Sequence, residues 1–169
     1  MNTQRTRAEH TAEAGFTLIE LLIVMSIILI LATLAIPAMQ KSIKKANETS
    51  AITSLRTLNA QEITYNSTYP THGYACSLAT MGGKPGAQPT PEAAGLISDD
   101  LASGVKSGYT FSITNCTKVS VNNQDQYTSY TITAVPNTVG KTGDRGFCTD
   151  GNEIRYDPKG GTNCTELLQ

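Results

Sequence analysis

The chain is short of histidine, of net charge and of closely spaced cysteines, and each shortage removes a class of function. Only two histidines stand among its 169 residues. His72 sits alone in Tyr69-Pro-Thr-His-Gly73, where an imidazole is ordinarily solvated and has no partner by motif. Four cysteines are present without a C-x-x-C pair, which argues against a zinc site. A formal charge of −1 shows no strongly basic face of the kind that nucleic-acid binders carry. No nucleophile elbow, H-E-x-x-H helix or dinucleotide fingerprint occurs. Lys84 follows two glycines, but Pro85 stands where a phosphate-binding loop needs Ser or Thr, and the upstream glycine is missing. These absences argue against an enzyme and give no reason to expect a cofactor or a metal.

What is present is one long apolar run, Phe16 to Ile36, between Gly15 and Pro37. Its residues as a helix span about 31 Å, close to the thickness of bilayer hydrocarbon. One charge interrupts it, Glu20. A carboxylate at membrane depth costs roughly 2 to 3 kcal/mol or more unless paired, so its retention calls for a purpose.

The polar leader ending in Gly15, the stretch Phe-Thr-Leu-Ile-Glu-Leu-Leu-Ile-Val from Phe16, and Pro37 about one membrane thickness later resemble the class III signal of prepilins, the type IV pilins and type II secretion pseudopilins. The tail from Tyr127 to Asp157 is similar, more loosely, to the C-terminal sheet of that group. The resemblance implies a leader, 1–15, removed by a prepilin peptidase between Gly15 and Phe16, and N-methylation of Phe16. It also implies membrane residence before assembly, assembly machinery in the inner membrane, and a homopolymer of copies of this chain in which the Phe16 amine of one subunit meets Glu20 of another. Before the cut, position 16 carries only a neutral amide, so cleavage would create the cation. A local reading of Glu20 stands beside this one: a carboxylate in the first helical turn is favoured by the helix dipole and by the same chain's amine. The major-pilin reading places the product in an extracellular filament and the pseudopilin reading leaves it periplasmic. Some pilus systems take up DNA, which leaves nucleic acid open as a partner with no support from the charge pattern.

An ordinary secretory signal would use Leu21 to Leu34 as its apolar core and cut near Ile36, but Glu20 would then lie at the edge of that core, behind a leader that carries Glu9 and Glu13. A single-pass anchor on a periplasmic binding domain is the remaining alternative for the run. Lys41, Lys44 and Lys45 follow the span while Arg5 and Arg7 precede it, so charge bias does not set the orientation.

Beyond Pro37 the chain divides into 38–69, which keeps helical character without Gly or Pro, and 70–169, which reads as a globular region with a loop and an antiparallel sheet. Ala51, Leu55, Leu58, Tyr65 and Tyr69 form a stripe to pack on a sheet, with Ile52 and Ile63 off it as candidate subunit contacts. Pro37 removes one backbone hydrogen bond and predicts a kink or local melting there. Gly82 to Gly95 reads as an exposed loop, and Pro91 to Leu101 as a short helix around Ala93 and Ala94 that ends near Ser98-Asp99-Asp100. Tyr109 to Thr114 and Tyr130 to Val135 alternate as strands, with Asn122 to Asp125 as the turn between them, and Glu153 to Asp157 as a third strand entered by Asp150-Gly151-Asn152. One long helix followed by a strand meander predicts an α+β fold with the second half of the helix, 38–69, laid on an antiparallel sheet in one head domain; pilin-like proteins have that shape.

Cys76, Cys116, Cys148 and Cys164 all follow the span, an even number suited to two disulfides in an exported domain, with three pairings open. The pairing adopted as an expectation is Cys76 with Cys116 and Cys148 with Cys164; the resemblance implies a C-terminal disulfide loop, often exposed on the fibre. Asp144, Asp150, Asn152 and Asp157 are candidates for a calcium ion, with turn and cap roles the more ordinary outcome.

Overall fold

The structure is a computed structural model that describes residues 15–84 and 86–168; leader residues 1–14, Pro85 and Gln169 lie outside them. The chain divides into two units, one ending at Met39 and one beginning at Gln40. A single helix, α1 (Leu18–Thr68), supplies the described helical part of the first unit and opens the second. Phe16, expected inside the helix, precedes it, because Thr17 takes the N-cap position. Pro37 lies inside α1, with helix on both sides of it. Only one N–H is lost at a proline, and the bonds around it keep the helix continuous.

In the second unit, α1 is amphipathic because of a strict alternation of three and four residues. Ala51, Leu55, Leu58 and Tyr65 are buried, and Tyr69, just past the helix end, packs against them half-buried. Ile52, expected on an outer face, also packs against this core, while Ile63 remains exposed. The same spacing carries two carboxylates inward, Glu48 and Glu62.

The sheet is an antiparallel meander in chain order: β1 (Val105–Lys106), β2 (Tyr109–Val121), β3 (Gln124–Pro136), β4 (Gly146–Thr149), β5 (Ile154–Asp157) and β6 (Glu166–Leu167). Together with the helix this gives the expected α+β, pilin-like architecture. Tyr109 and Phe111 from β2, Tyr130, Ile132 and Ala134 from β3, and Phe147 from β4 fill the core beneath α1. The β2–β3 hairpin is longer than the alternation predicts, since Gln124 and Asp125 belong to the ladder and the turn is only Asn122-Asn123. Both turn residues have positive φ, 51° and 64°, the conformation that two-residue hairpins require and asparagine tolerates. Between Thr114 and Thr117 the register slips, Asn115 adopting φ 52°. Cys116 sits in this bulge and is bonded to Cys76.

The helix expected over Pro91 to Leu101 is not formed. Instead α2 (Leu78–Met81) and α3 (Asp99–Ala102) flank an extended passage. The N–H groups of Ala94, Gly95 and Leu96 donate to the carbonyls of Thr80, Gly82 and Met81, and Gly95 has φ +66°, a break that the two alanines cannot outweigh. Ser98-Asp99-Asp100, expected at the end of that helix, opens α3, with both carboxylates in its first turn.

Candidate assembly site at the start of the apolar helix

The first turn of α1 is organised by Thr17-Leu18-Ile19-Glu20, a capping box. The Thr17 backbone N–H donates to Glu20 Oε2 at 2.8 Å, the Thr17 hydroxyl donates to the same oxygen at 2.7 Å, and the Glu20 N–H donates back to Thr17 Oγ1 at 3.3 Å. Two N–H groups that would be orphaned at a helix start are thereby satisfied. Glu20 is placed in this turn by sequence alone, but the box is not among the sequence-based expectations, although threonine followed three residues later by glutamate is its signature. Gly15 and Phe16 lie outside the helix, and Phe16 is 86% exposed. Among the described residues nothing approaches within 4 Å of the place a Gly15 side chain would take.

From Leu18 to Ile36 the helix is long and apolar enough to cross a membrane, and its apolar window buries nothing inside the molecule. Its hydroxyls are satisfied along their own backbone. Ser26 donates to the Leu22 carbonyl at 2.8 Å and Thr33 to the Ile30 carbonyl at 2.7 Å, so neither needs water in hydrocarbon. Glu20 is left as the one ionisable side chain of the segment.

The head contains a second set of placed charges. Glu48 accepts from the backbone N–H groups of Asp144 and Arg145 at 3.0 and 3.2 Å, and from Arg145 Nε and a terminal guanidinium nitrogen at 3.0 and 2.7 Å. The Arg145 guanidinium also lies 5.4 and 5.1 Å from the ring centres of Phe147 and Tyr156. This holds the β3–β4 connection against α1. Glu62 is fully buried; Oε2 accepts from the Ala75 N–H at 2.8 Å, while Oε1 has no partner among the described residues. Burial pushes its carboxyl up to about 7, against the pull of that N–H. Neither carboxylate stands out from sequence alone. Their signal is present nonetheless: Glu48 and Glu62 occupy the stripe positions before Ala51 and between Leu58 and Tyr65.

Cys148 is bonded to Cys164, tying the C-terminal segment to β4, and no free cysteine is left among the described residues. Asp144, Asp150, Asn152 and Asp157 do not converge. Asp144 pairs with Lys44 at 2.8 Å, Asp150 accepts from the Asn152 N–H, and Asp157 accepts from the N–H groups of Lys159 and Asn163. Among the described residues no three His, Cys, Asp or Glu side chains gather for a metal ion. His72 lies beside Tyr69 and Thr71 in the loop after α1.

No curated protein and no solved structure matches the chain. Residues 11–36, which span the cap, Glu20 and the apolar helix up to Ile36, match the family model described as the Prokaryotic N-terminal methylation motif, the class III signal of type IV pilins and pseudopilins.

Proposed function

We propose that this chain is the structural subunit, a major pilin, of a type IV pilus. The reading is supported first by the methylation motif, which implies prepilin-peptidase processing and fits anchoring in the inner membrane before assembly. The observation that carries it to a polymer is the segment inside that motif: an apolar helix that buries nothing among the described residues and bears a single carboxylate near its start. In this reading the peptidase cuts between Gly15 and Phe16, both outside the helix and accessible. Thr17 keeps its amide N–H through the cut, so the capping box survives processing. The new Phe16 amine, N-methylated, is mostly protonated at neutral pH. It pairs with Glu20 of a neighbouring subunit and neutralises two charges inside a fibre core of packed Phe16 to Ile36 helices. Heads, each closed by two internal disulfides, then form the outside of an extracellular filament. Pro37 is the point at which the helix gives way if the packed core requires it. The pseudopilin reading, with the same processing and a periplasmic product, is favoured by no observation over this one.

Two measurements test it. Mass spectrometry of filaments sheared from cells is expected to find a peptide that begins with N-methylated Phe16; processed chain confined to the envelope would transfer the protein to the pseudopilin reading. The second compares Glu20→Gln with Glu20→Ala. Glutamine preserves the capping acceptor and removes the charge. Both variants are expected to be cleaved normally and to lose fibre yield about tenfold or more, a loss of only about 1.4 kcal/mol per assembly step. Full fibre yield from Glu20→Gln would mean that Glu20 serves the cap alone.

A further inference from the structure

A groove of about 310 Å³ opens on the head where the segment after α1 meets the start of β3, a volume at the lower end for small-molecule sites. Tyr65, His72, Tyr74 and Tyr127 line it, together with the carboxylates of Glu92 and Asp125. Its walls are fixed by backbone bonds. The Tyr74 N–H donates to the Tyr127 carbonyl and the Tyr127 N–H to the His72 carbonyl, both at 2.9 Å. Gly73, with φ +75°, permits this approach, since a Cβ there would overlap the Tyr127 carbonyl oxygen. The Tyr65 hydroxyl donates to the Pro91 carbonyl at 2.7 Å and anchors the residue next to Glu92.

The groove is electronegative as well as aromatic. Lys118 balances Asp125 in an exposed pair, but Glu92 has no ion pair among the described residues. The Tyr65 phenol is held above its ordinary range by burial and then by the carboxylates of Glu92 and Glu62. Tyrosine faces attract cations, most strongly those that shed water easily. Glu92, Asp125 and His72 all line the groove, but among the described residues no three such side chains gather closely enough to hold a metal ion, and organic ammonium is the cation that suits this lining.

We propose that this groove binds a small quaternary-ammonium solute, with the half-buried Tyr74 and Tyr127 as its wall, Tyr65 behind them, and Glu92 as its counter-charge. The site belongs to the head alone and holds whether the assembled product is a pilus or a periplasmic pseudopilus.

The test titrates the full chain, in an uncharged maltoside detergent, with choline chloride. Tyrosine emission is the readout, clean because the chain has seven tyrosines and no tryptophan. Sodium chloride at equal ionic strength is the control, and 3,3-dimethylbutanol is the neutral isostere. Saturable choline binding is expected, with the isostere about tenfold weaker and Glu92→Gln and Tyr127→Leu each weakened about five- to tenfold. Glu92 is exposed, so that variant keeps its fold; circular dichroism checks both. Equal binding of choline and its isostere, unchanged affinity in both variants, or no saturation into the tens of millimolar would overturn the proposal. So would binding to phosphatidylcholine vesicles without binding to free choline, because the ligand would then be a bilayer surface.

Discussion

From Leu18 to Met39, α1 carries apolar residues on nearly every side and buries none of them; from Gln40 to Thr68 the same helix buries seven residues along one face. The two halves obey the same backbone rules and differ only in where their side chains find a partner. The second half has a stripe about one-third of the circumference wide, and a six-stranded sheet covers it. The first half has no stripe, so no single neighbour could satisfy it. A helix apolar all round is stable only when surrounded, by lipid or by other helices. The kind of partner a helix needs can therefore be read from the width of its apolar surface.

The largest expected effect comes from separating the halves. A chain of residues 40–169 exported to an oxidising compartment is expected to stay soluble without detergent, keep its sheet signal and contribute nothing to fibres, while the full chain partitions wholly into membranes. Aggregation of the short chain would mean that the head depends on the apolar half. Next come single truncations within α1. Leu58→Ala, at a fully buried site, is expected to cost roughly 3 kcal/mol in urea denaturation, whereas Leu29→Ala, exposed, leaves head stability unchanged. Equal losses would erase the contrast between the halves.

The last effect, which appears only as pH changes, concerns one buried polar member of the second half, Glu62. The Glu62 carboxyl is raised in the folded chain from its ordinary 4.5 to about 7. Between those values the folded state holds a proton that the unfolded state has released. The associated stability is complete below about pH 4.5 and is lost as pH rises through 7, by up to about 3 kcal/mol. Glu62→Gln, which resembles the protonated acid, is expected to flatten that profile. Denaturation at pH 5 and pH 8 on both chains measures the difference, and an unchanged slope in the variant would assign the pH dependence elsewhere.

Much of this fold is legible in the sequence because periodicity and length report directly on burial. The apolar run, the stripe from Ala51 to Tyr69 and the alternation of Tyr109 to Thr114 each signal one element. The elements that escape are short or buried on both faces. Gly146-Phe-Cys-Thr149 is entirely buried, so β4 shows no alternation, and β1 and β6 have two residues each. The Ala93-Ala94 passage misleads because propensity favours helix, while bonds to the carbonyls after Ala79 decide otherwise. At the start of α1 the reading of Glu20 as a partner for another subunit's amine leaves the nearer one, Thr17, out of view. Glu48 and Glu62 are invisible for a simpler reason: a search for an apolar stripe skips its charged members.

The two cross-links also set how far this molecule can stretch. Eight residues beyond Thr68, the end of α1, the chain reaches Cys76, whose bond to Cys116 closes a separation of 40 residues. Cys148 and Cys164 close a further 16. At about 3.5 Å per extended residue, the two loops withhold about 200 Å of contour length from any pull that leaves them oxidised. Under tension, such a head lengthens through the segments outside the closed loops, β3 among them, while β1 and β5 stay inside the loops and recoil with them.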